Sequence, residues 1–173
     1  TFNSDGIVFG GTINSSSVDT ISFDGAGGND SLTVNAGTVN IPATQVLQSL
    51  TVAVGASLVL APGADKVIKT SSLDLGGTID LADNAMIVEY SGASPLASIL
   101  SLINSARALD GSGTPTLTGQ GIASSVAAGD PLLTSIGAID NSSLDSSAYS
   151  TFISQPVDQT SVLIRFTADG DAN

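Results

Sequence analysis

The sequence predicts an all-β-dominated chain: a short parallel β-solenoid, or β-helix, over residues 1–90, then a C-terminal helix-containing α+β portion over residues 91–173. Three observations lead there. An alternating strand, a glycine corner and a second alternating strand recur three times between residues 32 and 81. Hydrophobic residues make up 42% of the chain, but aromatics only 4% and Trp is absent. A core of Val, Leu, Ile and Ala suits thin stacked layers. After Tyr90 the apolar spacing changes from the period of a strand to that of a helix.

The repeats read Leu32-Thr33-Val34, Gly37, Val39-Asn40-Ile41; then Leu50-Thr51-Val52, Gly55, Leu58-Val59-Leu60; then Leu73-Asp74-Leu75, Gly76-Gly77, Ile79-Asp80-Leu81. Their starts lie 18 and 23 residues apart, close to one solenoid coil each. Alternation points Leu, Val and Ile inward and Thr, Asp and Asn outward. One coil cannot bury its own apolar face, so coils must stack. About four are expected, because residues 1–13 repeat the strand–corner–strand pattern around Gly10-Gly11 and residues 18–23 alternate again. Between repeats, residues 43–49 fit a short strand or a helical turn. Pro62-Gly63 and Asp83-Asn84 mark corners, Val67-Ile68 a third short strand of the coil, and residues 86–90 a last solenoid strand.

The C-terminal portion opens with Ser94-Pro95, a cap and first-turn signal. A helix over about 94–108 follows, with Leu96, Ile99, Leu100 and Ile103 on one stripe and Arg107 near its end. Residues 122–128 fit a second short helix, 132–139 a strand, and the Ser-rich stretch 142–154 a helix. A strand over about 161–167 is apolar enough to require pairing, and is expected to return to a solenoid edge.

Four Lys and Arg face sixteen Asp and Glu, a net charge of −12. Such a chain repels phosphate backbones and anionic lipid, so nucleic acid and membrane surfaces are poor partners, and no stretch predicts membrane insertion. Cys and His are both absent, which removes thiol catalysis, disulfides and the usual zinc ligands. No catalytic constellation stands out. Asp74 and Asp80 could project from neighbouring strands, but outward Asp on a solenoid reads as a solvated face.

Two motifs point to calcium. Gly27-Gly28-Asn29-Asp30-Ser31-Leu32-Thr33-Val34 resembles one nonapeptide of the calcium-binding RTX repeats, which implies Asp24, Asn29 and Asp30 as ligands. The tail Asp169-Gly170-Asp171-Ala172-Asn173, after the apolar strand, resembles the entry to a dockerin-type calcium loop, with Asp171 and Asn173 as its first two ligands. Residues 73–90 are similar to autotransporter-type β-strand repeats of secreted bacterial proteins. With Thr1 at its start, the chain is expected to be a processed product or a fragment of a larger protein.

These readings lead to a secreted or cell-surface structural protein: a module of a self-assembling fibre, surface layer or adhesin. Copies would join head to tail through the apolar segments 7–9 and 162–166 and the open solenoid ends, making a homo-oligomer or filament. The alternative is a carbohydrate-binding or carbohydrate-cleaving module of a dockerin-bearing secreted enzyme, with extracellular polysaccharide as partner. A calcium-dependent folding module is a third possibility.

Overall fold

Alternating aliphatic segments joined by tight corners can bury their side chains only by lying over one another, and they do. A computed structural model describes residues 2–3, 21–25 and 30–168 of the chain. The strands of the solenoid are β1 (Phe2–Asn3), β2 (Ile21–Asp24), β3 (Asp30–Val34), β4 (Thr38–Ile41), β5 (Gln45–Val52), β6 (Ser57–Leu60), β7 (Val67–Thr70), β8 (Leu73–Leu75), β9 (Thr78–Asp80) and β10 (Ala85–Glu89). Among the described residues they form a parallel β-solenoid of about three turns; most of the further coil expected over residues 1–20 lies outside them.

The three repeats stack in register. Leu32, Leu50 and Leu73 form one inward ladder, and Val34, Val52 and Leu75 the next. On another side Val39, Leu58 and Ile79 align. Leu50, Val52, Leu58 and Ile79 have no exposed surface, and burying each such side chain is worth roughly 1.5–3 kcal/mol.

Each turn has three sides, because β5 bends. Its first half, Gln45 to Leu47, pairs with β7, and Leu50 to Val52 pairs with β8. Leu47 and Leu50 are both buried, so the inward parity shifts between them. The register against β3 passes from Leu47 to Ser49 over Gln48. The extra residue makes the corner, as a β-bulge does.

Corners are closed by side chains. Asn84 is fully buried. Its amide donates to the carbonyls of Ala61 (3.0 Å) and Leu81 (3.1 Å), and its carbonyl accepts from the N–H of Lys66 (3.1 Å). It thereby fastens one turn to the one before. Gly77 is required by crowding, since a Cβ there would overlap the carbonyl oxygens of Ala56 and Ala53.

After β10 the chain leaves the solenoid and returns to cover it. Helix α1 (Leu96–Ala106) buries Ile99, Ile103 and Ala106. Leu100, expected on that stripe, is 40% exposed, and Ala106 takes its place. Ser94 lies just before the helix and accepts from the N–H of Leu96 at 3.3 Å.

Residues 122–128, read from sequence as a helix, instead contribute β11 (Gly121–Ala123), which pairs in parallel with β9 and extends the Val39–Leu58–Ile79 ladder to Ile122. Only a short 3-10 turn, Ala127–Gly129, follows. Three buried residues in a row carry no helical period, and tertiary pairing decides their conformation. A Cβ on Gly121 would overlap the carbonyl of Leu102, so α1 lies directly on this terminal strand.

The strand expected near 132–139 is β12 (Thr134–Asp140). The Ser-rich stretch after it begins with a 3-10 segment, Asn141–Ser147, and continues into the hairpin β13 (Thr151–Phe152) and β14 (Gln155–Pro156). The last strand, β15 (Ser161–Ala168), returns to the solenoid as expected and runs antiparallel between β10 and β12. Ala85 to Val88 are all buried, because β10 is covered on both faces. Met86 and Val88 face the main core, while Ala85 and Ile87 meet Leu163, Val157, Phe152 and Ile153 in a second, smaller one. The segment at residues 7–9 lies outside the described residues.

Asn84→Ala is expected to lower stability by about 1–3 kcal/mol, because it strands buried backbone groups in two turns. Val46→Ala, at a 42% exposed site on β5, should change it by about 0.5 kcal/mol or less. Urea denaturation followed by circular dichroism measures both.

Candidate functional site

The carboxylates are the chemically distinctive groups of this chain, and several of the described ones cap turns. The Asp80 carboxylate accepts from the N–H groups of Ala82 (2.8 Å) and Ser125 (2.9 Å), tying the β9 corner to the segment after β11. Asp83 accepts from Gly63 (2.8 Å) one turn below. Asp110 accepts from the N–H groups of Ser112 (2.8 Å) and Thr114 (2.9 Å), and Asp158 from that of Thr160 (2.7 Å). The Ser112 hydroxyl holds the Asp110 carboxyl below the usual carboxylate range, and the Thr160 hydroxyl does the same for Asp158. For Asp83, burial opposes the charge, but the N–H groups of Gly63 and Ala64 outweigh it and lower its value too. Asp74 is exposed on β8 and Asp80 sits on β9 in the other sheet, so the two do not converge.

Among the described residues, the most heavily bonded carboxylate is that of Asp140 at the end of β12, only 5% exposed. It accepts from Tyr90 (3.1 and 3.2 Å to its two oxygens), from the Ser142 N–H (2.9 Å) and hydroxyl (2.6 Å), and from the Ser94 hydroxyl. One side chain thus joins the end of β10, the start of α1 and the 3-10 segment after β12. Burial disfavours its charge, yet the hydroxyls of Ser142 and Ser94, the Ser142 N–H and Tyr90 together hold its carboxyl below the usual range. A carboxylate so engaged is a structural anchor and a poor proton acceptor.

Of the residues that the calcium motifs single out, Asp24 ends β2 and Asp30 begins β3. Asn29, Asp171 and Asn173 lie outside the described residues. Asp30 and Gln45 both approach Gly25: a Cβ on Gly25 would lie 3.1 Å from each of their oxygens, and the Gln45 carbonyl accepts the Gly25 N–H at 2.7 Å. Among the described residues no three acidic side chains converge as metal ligands.

Sequence reasoning missed Asp140 and the ground beside it. The string Asp140-Asn141-Ser142-Ser143 has the composition of a capped turn, and that much was available. Its bonds to Tyr90 and Ser94, 50 and 46 residues away, were not. Next to this anchor a cleft of about 270 Å³ opens between β8, the end of β10 and α1, lined by Leu73, Val88, Tyr90, Ser98, Ile99 and Leu102 among others. No helix of the described residues is long and apolar enough to cross a membrane.

Compared with protein-family models, curated proteins and solved structures, the chain matches none.

The lowered carboxyl of Asp140 sets a pH dependence. Its contribution to stability is fully present above the ordinary carboxyl value, near pH 4, and is lost as pH falls through the lower folded-state value. Asp140→Asn should therefore destabilise the chain at pH 7 by about 1–3 kcal/mol. It should also flatten the loss of stability below about pH 4. Thermal melts of both proteins at pH 7 and in acid check this.

Proposed function

We propose that the chain is a structural module of an extracellular or cell-surface assembly — a fibre, surface layer or adhesin — built as a solenoid with one covered end. The observation that carries this reading is the use to which the polar side chains are put. Asp80, Asp83 and Asn84 close corners and fasten one turn to another, Asp110, Asp140 and Asp158 cap turns of the covering portion, and aliphatic ladders fill the interior. The likeness of residues 73–90 to autotransporter-type strand repeats favours secretion. The dockerin-like tail favours membership of a larger chain, and the RTX-like turn at Asp24, Asn29 and Asp30 would add calcium to its folding. All three belong to this proposal.

The route of assembly differs from the one the sequence implies. Residues 162–166 lie in β15, which is paired on both edges within the chain, so they offer nothing to a neighbour. Helix α1 covers β11 at the same end. Among the described residues, β3 ends the seven-stranded sheet at the opposite end. We therefore assign contact between copies to the end of the solenoid away from α1, where a ladder can continue from one molecule into the next.

Sedimentation velocity and electron microscopy of the native material, with and without calcium, test the reading. Oligomers or fibres that Thr33→Pro on β3 disperses are the expected result. Monomers alone at millimolar concentration in both conditions would remove it. A glycan array and a reducing-sugar assay should show neither binding nor turnover.

A further inference from the structure

We propose that the open edge of β8, within the cleft under α1, is an acceptor site for one extended, cationic polypeptide segment of another protein. The site follows from how the solenoid ends. The last turn supplies β10 over β7 on one side and β11 over β9 on another. On the third side β8 pairs with β5 and, among the described residues, with no further strand. The chain turns away after Glu89, where the Tyr90 N–H bonds the carbonyl of Thr160, and α1 bridges the gap from above. The cleft of about 270 Å³ occupies the place of the next rung.

Its chemistry is that of a strand edge. The Leu50 N–H donates to the Ser72 carbonyl (2.9 Å) and the Gly76 N–H to the Val52 carbonyl (2.8 Å). In a parallel ladder the bonding residues alternate, so Ser72, Asp74 and Gly76 face β5. The N–H and C=O groups of Leu73 and Leu75 point away from β5, and Leu73 lines the cleft. Two outward pairs match about three residues of an added strand, which spans about 10 Å. Leu73, Val88, Ile99 and Leu102 line the cleft with apolar surface and suit one inward aliphatic side chain.

Charge selects the partner. Asp74 is exposed on the outward face of β8, and Glu89 lines the cleft. The nearby cation, Lys69, is bound to Glu89 (2.7 Å) and to the Pro156 carbonyl (2.7 Å). A second copy has only four Lys and Arg against sixteen Asp and Glu, so it is a poor source of a cationic strand. A strand with Lys or Arg at the outward positions and an aliphatic residue between them complements the edge, the lining and the field together. A polysaccharide would lack the alternating N–H and C=O groups that this edge presents. The site does not require self-assembly at the end of the solenoid away from α1.

The probe is a blocked hexapeptide alternating lysine and valine, titrated into the full chain and followed by NMR and amide hydrogen exchange. Protection of the Leu73 and Leu75 amides should rise about tenfold at saturation, with no change at Leu50 or Val52. Ser98→Trp, a change on the exposed face of α1 that fills the cleft, should abolish the effect. Asp74→Lys should raise the Kd about tenfold, and the glutamate–valine version of the peptide should not bind. Leu75→Pro deletes one outward N–H and should weaken binding. If that variant misfolds, Ser98→Trp still decides. The proposal fails if the Leu73 and Leu75 amides do not respond, if Ser98→Trp leaves binding intact, or if both peptides bind equally. It fails also if cellohexaose, and not the peptide, moves these amides.

Discussion

The constraint behind the whole structure is that no rung of a solenoid is finished by itself. Each carries a row of aliphatic side chains and a row of backbone groups that only the next rung can cover. In the middle of the stack the requirement meets itself. Leu32 lies against Leu50 and Leu50 against Leu73, and the ladder bonds follow the same register. Where the repeats stop, something of different shape must cover the last layer. Most of the C-terminal half answers that need.

The covering is uneven across the three sides, and that unevenness creates the distinctive surface. One side is closed by adding strands, with β15 and β12 laid against β10. The Val39 side gains β11 and then the backbone of α1 itself, close enough to demand Gly121. The third side receives only the flank of α1, and a helix cannot continue a ladder. The backbone of β8 is left at the floor of a cleft. A covered edge that keeps its hydrogen-bonding pattern is a directional surface, and it avoids the indiscriminate pairing that fully exposed edges invite.

The acidic residues take on a different meaning in this setting. A charge of −12 reads from composition as solubility or as affinity for cations. In the structure, individual carboxylates satisfy backbone N–H groups at corners, where a parallel solenoid has no ladder bond to offer. Asp140 extends this to tertiary scale by joining segments that begin at Tyr90, Ser94 and Ser142. Part of the negative charge is thus a by-product of closing turns with the shortest available acceptor.

The repeating part of the fold was legible in the residues alone. Period-two alternation between glycine corners determines which side chains face inward, and with them the register, because a slip by one residue would turn Leu50 or Leu58 to solvent. The helix after Ser94-Pro95 and the final apolar strand were legible for the same reason, since each carries its own period. Only the tertiary structure decided that Gly121–Ala123 is a strand, that Leu100 faces outward, and that the last strand is closed on both edges. These outcomes depend on neighbours distant in the sequence, and no local period encodes them. The cleft at β8 belongs to the same class. It exists because the chain departs after Glu89, and the shape of a departure is set by what the returning segments pack against.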